Sequence, residues 1–93
     1  MNIEEIREKI LPILKKYKVK RAGIFGSMAR NEETEKSDID ILVELPDEAS
    51  LLDLVGLKME LEEVLRKKVD VLTYDSIYPP LREPILSEEV AIL

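Results

Sequence analysis

The chain has 93 residues, 14 of them basic and 20 acidic, for a net charge of −6. That field has the wrong sign for a sequence-indifferent nucleic-acid binder, which needs a basic surface. Cysteine and histidine are both absent, which excludes disulfides, thiolate chemistry, the commonest general base and the commonest zinc ligand.

Asp, Glu, Lys, Arg, Ser, Thr and Tyr remain for chemistry. A site made of carboxylates suits hard cations such as magnesium or manganese. Hydrophobic residues make up 45% and charged residues 37%, enough for one core under a heavily charged surface. A single domain over residues 1–93 is expected. No apolar run approaches the roughly 20 residues of a membrane span. The start, Met1-Asn2-Ile3-Glu4-Glu5, is unlike a signal peptide, so a cytoplasmic protein is expected.

Residues 2–17 carry Ile3, Ile6, Ile10, Leu11 and Leu14 at helical spacing. Asn2 can cap this helix. Glu4 and Glu5 suit the positive end of its dipole, and Lys15, Lys16 and Lys18 the other end. Pro12 is expected to kink the helix or begin a second segment. Residues 20–25 read as a strand ending at Gly26, 27–31 as a short helix or turn, and 32–36 as an exposed loop. Residues 38–45 read as a second strand, stopped by Pro46. Residues 51–66 repeat Leu51, Leu54, Leu57 (or Val55), Leu61, Val64 and Leu65, an amphipathic helix. Ser50 is its expected cap, with Asp53 as partner in a capping box. Residues 69–73 read as a third strand and 80–88 as a short helix. An apolar terminus follows, suited either to its own sheet or to a partner. The order is that of an α/β (α+β) domain, a small sheet flanked by helices.

The second strand contains an anomaly. Alternate strand residues face one way, so Asp38, Asp40 and Leu42 share a face, while Ile39, Ile41 and Val43 pack on the helices. The two aspartate α-carbons then lie roughly 6.5–7 Å apart. Carboxylates that close repel each other, and a divalent cation relieves the repulsion. The spacing suits one bridged metal, or two about 4 Å apart as in phosphoryl transfer. Asp70 repeats the pattern between Val69 and Val71. If the third strand neighbours the second, Asp70 joins the other two.

Gly26 and Ser27 follow the first strand. A strand, a Gly-Ser and a helical turn expose backbone N–H groups that can hold phosphate oxygens, and the serine hydroxyl adds a donor. Arg30 stands one turn further on, within reach of a phosphate or of a local Glu. Ser37 can cap its turn or orient Asp38. Tyr74 and Tyr78, just after the third strand, can stack on a base or fill space. Arg66-Lys67-Lys68 reads as a solvated helix end.

Taken together, Gly26-Ser27-x-Ala29-Arg30, six residues, then Ser37-Asp38-x-Asp40 and an apolar strand resemble the minimal nucleotidyltransferases of the DNA polymerase beta superfamily. The resemblance is to the small MNT-type proteins encoded beside HEPN-type toxins, the MntA-type antitoxins. It extends to the helix over 51–66 and the strand bearing Asp70.

The resemblance implies a nucleotidyltransferase fold and a transferase that uses ATP and magnesium, two ions in all. Asp38, Asp40 and Asp70 would be catalytic metal ligands, with Asp70 helping to deprotonate the acceptor. Gly26 and Ser27 would cradle phosphates, with Arg30 and Ser37 nearby. It also implies transfer of AMP to a tyrosine hydroxyl of an all-helical HEPN toxin and an antitoxin role, within a hetero-oligomer and without direct nucleic-acid contact. Larger relatives append a domain for the acceptor, and no such domain is expected here. Two other readings stay open: a non-catalytic module that neutralises a toxin by contact, and a transferase acting on a small-molecule hydroxyl.

Overall fold

The computed structural model describes residues 1–93. Helix α1 spans Ile3–Lys16. The Asn2 side chain accepts from the Glu5 N–H at 2.9 Å, which satisfies one of the orphan donors at the helix start. Ile6, Ile10, Ile13 and Leu14 form its buried stripe. Pro12 lies inside one continuous helix, so of the two sequence expectations it does not begin a second segment. Pro12 and Glu8 are both exposed, so the Glu8 carbonyl that loses its i+4 donor faces water. The helix closes at Lys18, which takes a left-handed φ of 58°, and Val19 N–H returns to the Leu14 carbonyl at 3.0 Å.

Three strands follow the expected order: β1 at Arg21–Phe25, β2 at Ile39–Glu44 and β3 at Val69–Thr73. A fourth, β4 at Val90–Ala91, lay hidden in the apolar terminus and pairs antiparallel with β1. The sheet order is β3-β2-β1-β4. β2 is antiparallel to β1 and parallel to β3. It is therefore a mixed sheet, with helix α2 (Leu51–Leu65) as the crossover between the two parallel strands. Both bonds of the Ser50–Asp53 capping box are present: Ser50 N–H to Asp53 Oδ2 at 2.8 Å and Asp53 N–H to Ser50 Oγ at 3.3 Å.

One main core joins α1 and α2 to the sheet through Ile6, Ile10, Leu14, Ile24, Ile39, Ile41, Val43, Leu57, Leu61 and Leu65. Ile92, just past β4, is buried in it. The apolar repeat of α2 holds at Leu54, Leu57, Leu61 and Leu65, which face the core, and fails at Leu51 and Val64, which are exposed. Leu57, Leu61 and Leu65 are buried, whereas Leu51, Leu52, Val55 and Met59 lie exposed on the outer face. The opposite face of the sheet carries a small second cluster of Leu42, Tyr74 and Ile77, partly covered by Phe25, Ile85 and Leu86. The last two belong to α3 (Pro79–Glu88), which has no fully buried residue. No helix is long and apolar enough to cross a membrane.

Candidate active site

The two halves of the motif meet at one end of the sheet. β1 arrives there at Phe25, β2 leaves from Ile39 beside it, and β3 starts level with β2. Phe25 pairs with Asp40 across the antiparallel ladder, and Asp40 pairs with Asp70 across the parallel one. The alternation of β2 sends Ile39 and Ile41 into the main core, so Asp40 must face the other way. The same holds for Asp70 between Val69, fully buried, and Val71, packed against the core.

Asp38 lies one residue before β2 rather than within it. The three carboxylates are not gathered closely enough to make a closed cluster of three ligands. Their charges nevertheless interact. Burial is the main cause that pushes the Asp40 carboxyl up to about 6, followed by the charge of Asp70, a hydrogen bond with Asp70 and the charge of Asp38. Arg30 acts weakly in the other direction. Like charges held this way favour either a proton or a cation between them.

Gly26 makes the approach to Asp40 possible. Its φ is 74°, in the left-handed region. A Cβ here would strike the Asp40 carboxylate, with Cγ at 3.1 Å and Cβ at 3.4 Å. Residues 27–31 form the turn, not the helix, of the two sequence alternatives. It is a single helical turn: Arg30 N–H bonds the Gly26 carbonyl at 3.1 Å, and Glu32 N–H the Ser27 carbonyl at 2.8 Å. Asn31 then takes a φ of 60° and stops it. Met28, 6% exposed, plugs the turn into the core. The N–H groups of Ser27, Met28 and Ala29 have no acceptor within the protein, the pattern expected of a turn that receives anions.

Two further expected residues are otherwise engaged. Ser37 accepts from the Thr34 N–H at 2.9 Å, closing the loop that delivers Asp38. Arg30 is exposed and donates to Glu32 and Glu88. Tyr74 follows the C-terminal end of β3, about 13 Å along the strand from Asp70. It is buried, its hydroxyl donates to Glu89, and the Arg21 guanidinium stands 4.2 Å from its ring centre. Tyr78 is exposed. Glu88 and Glu89, which organise the surroundings of Arg30 and Tyr74, were not singled out in the sequence. No spacing rule links residues 58 and 15 apart.

The family model described as polymerase beta, nucleotidyltransferase, matches residues 8–93. The chain belongs to this family. It is thus an enzyme of the nucleotidyltransferase class. It is similar to a protein of Methanocaldococcus jannaschii named as a protein adenylyltransferase, with 67% identity over 93 residues and full coverage of both chains. Its fold is similar to that of a solved minimal nucleotidyltransferase, with a TM-score of 0.84, 36% identity and coverage of 97% and 95% of the two chains. The nucleotidyltransferase fold recurs in the structure of a tri-AMPylated Shewanella oneidensis HEPN toxin with its MNT antitoxin, at a TM-score of 0.74, 22% identity and coverage of 97% and 71%.

Proposed function

We propose that the protein is a magnesium-dependent adenylyltransferase that moves AMP from ATP to a tyrosine hydroxyl of a cognate HEPN-type toxin, and so acts as its antitoxin. The observation that carries the reading is the Asp40–Asp70 pairing at the sheet end where the Gly26 turn arrives. The paired Asp40 and Asp70 carboxylates suit a hard cation such as magnesium; Asp38 would have to close on them for the three to hold it, as two ions. Bound there, the metal supplies charge neutralisation along the triphosphate.

The chain's own residues do the rest. The Gly26 turn, with the free N–H groups of residues 27–29 and the Ser27 hydroxyl, holds the β- and γ-phosphates. Arg30 adds a guanidinium to a phosphate, and Ser37 shapes the loop that carries Asp38. Asp70 takes the proton of the acceptor hydroxyl as its oxygen bonds to the α-phosphorus and the bond to pyrophosphate breaks. The work is positioning and charge placement, which a protein without histidine can do.

The adenylyltransferase name of the 67% identical relative supports AMP as the transferred group. The AMPylated toxin in the related complex supports the acceptor class. The site lies within one nucleotidyltransferase domain, residues 1–93. It would work in the cytoplasm, in a hetero-oligomer with the toxin and without direct nucleic-acid contact. A second reading, neutralisation by contact alone, is favoured by one observation: the exposed row of Leu51, Leu52, Val55 and Met59 on α2 is available for a partner whatever the site does.

The test is intact-mass measurement after incubation with labelled ATP, magnesium and the helical protein encoded beside this one. A gain of AMP on the partner, lost with a well-folded Asp38→Asn, supports the transferase. A tight, inhibitory complex with unchanged masses supports contact alone.

A further inference from the structure

Arg30 is held from two sides. Nε donates to Glu32 at 3.3 Å and Nη1 to Glu88 at 3.1 Å. Glu32 sits two residues away in an exposed loop. Glu88 comes from the end of α3, and its backbone is fixed. The next residue, Glu89, has a side chain only 7% exposed. It accepts from the Tyr74 hydroxyl and from Arg21 Nη2, the latter at 3.2 Å. It also lies over Gly23 so closely that a Cβ there would displace it. Val90 and Ala91 then pair with Ile24 and Gly23 of β1. The strand that delivers Gly26 to the site therefore also holds the segment that presents Glu88.

We propose that Glu88 is a positioning residue that sets nucleotide affinity, by competing with the triphosphate for the Arg30 guanidinium. The inference rests on the reading of Arg30 as a phosphate contact. A guanidinium offers its donors in one rigid plane. Arg30 has already turned two of them to carboxylates, and the three groups together carry one negative charge. Three donors stay free, but the two carboxylates already neutralise the charge that a polyanion would use, so it gains most from Arg30 when a carboxylate releases it. Glu32 is the more exposed of the two and shares the loop of Arg30, whereas Glu88 adjoins a segment anchored through Glu89 and β4, so Glu88 is the carboxylate whose hold on Arg30 the fold maintains. Ion pairs this exposed are weak, so the competition is worth a small factor, about two- to fivefold in affinity.

The experiment is a double-mutant cycle on binding of magnesium with AMP-PNP, a non-hydrolysable ATP analogue. Dissociation constants are measured by calorimetry at low ionic strength for the wild type, Glu88→Gln, Arg30→Gln and the double variant. Thermal unfolding confirms that each is folded. The expected result is that Glu88→Gln binds about two- to fivefold more tightly, and that the same change on the Arg30→Gln background alters nothing. Equal tightening on both backgrounds would reveal only the loss of a nearby negative charge and overturn the inference. No tightening, with Arg30→Gln weakened, would overturn it while sparing Arg30 as a phosphate contact. Wild-type affinity in Arg30→Gln would remove that underlying reading as well.

Discussion

Asp40 and Asp70 stand opposite each other in the parallel register of β2 and β3. Neither strand is long, and each isoleucine or valine beside the aspartates is committed to the core. The strands therefore keep both aspartates on one face and side by side, and the repulsion between them is built into the register.

Replacing Asp40 with Asn removes a half-buried charge that partial desolvation and Asp70 disfavour. The expected outcome is a protein that melts at a higher temperature at pH 7 and transfers no AMP. Calorimetry and intact mass check the two halves. A lower melting temperature would contradict the electrostatic account.

The pH dependence follows from the same carboxyl, raised to about 6 when folded from an unfolded value of about 3.9. The folded protein holds this proton more tightly than the unfolded chain does. Below pH of about 4 both forms are protonated and there is no penalty. Between about 4 and 6 the unfolded chain releases the proton first, so stability falls as pH rises. Above about 6 the penalty is complete. Urea titrations of the metal-free protein are expected to show this decline. Magnesium is expected to restore stability at pH 7 and to have little effect at pH 4.5, where it competes with protons.

Gly26→Ala places a side chain at a φ of 74° and against the Asp40 carboxylate. A loss of about 1–2 kcal/mol is expected from the left-handed backbone alone, together with loss of transfer as Asp40 is displaced. The urea midpoint and the intact-mass assay report each.

Ser50→Ala removes the hydroxyl from the α2 capping box, to which the Asp53 N–H donates at 3.3 Å. About 1 kcal/mol of stability is expected to be lost. Affinity for ATP with magnesium is expected to stay unchanged, because the cap lies at the far end of β2 from the carboxylates.

Ile92→Ala empties a buried position in the main core, where Ile92 is 3% exposed. About 2–4 kcal/mol of destabilisation is expected, read by urea denaturation. A change near zero would mean that the terminus is not part of the core in solution.

Much of this was legible in the chain. The alternation of Ile39, Ile41 and Val43 with Asp38 and Asp40 gave β2 its two faces, and the Gly26–Arg30 stretch gave the turn. These are local patterns, and the pleat and the helical repeat translate them directly into geometry. Pro12 did not start a second segment, because a missing N–H is tolerated where the orphaned carbonyl can reach water, as at the exposed Glu8. The inward face of α2 was legible in Leu54, Leu57, Leu61 and Leu65, but Leu51 and Val64 turned out exposed, because apolar residues surround most of that helix and periodicity alone does not exclude the outer ones.

The sequence by itself determined that Asp40 faces away from the core between Ile39 and Ile41, and that Gly26 opens a turn after β1, since each feature arises within a few residues of backbone. Only the tertiary structure decided that Asp70 stands level with Asp40, that Glu88 reaches Arg30, and that Val90 and Ala91 complete the sheet. Those relations join residues far apart in the chain. They are set by which strands pair and in what register, and that choice is made by burying one common core rather than by any local run of residues.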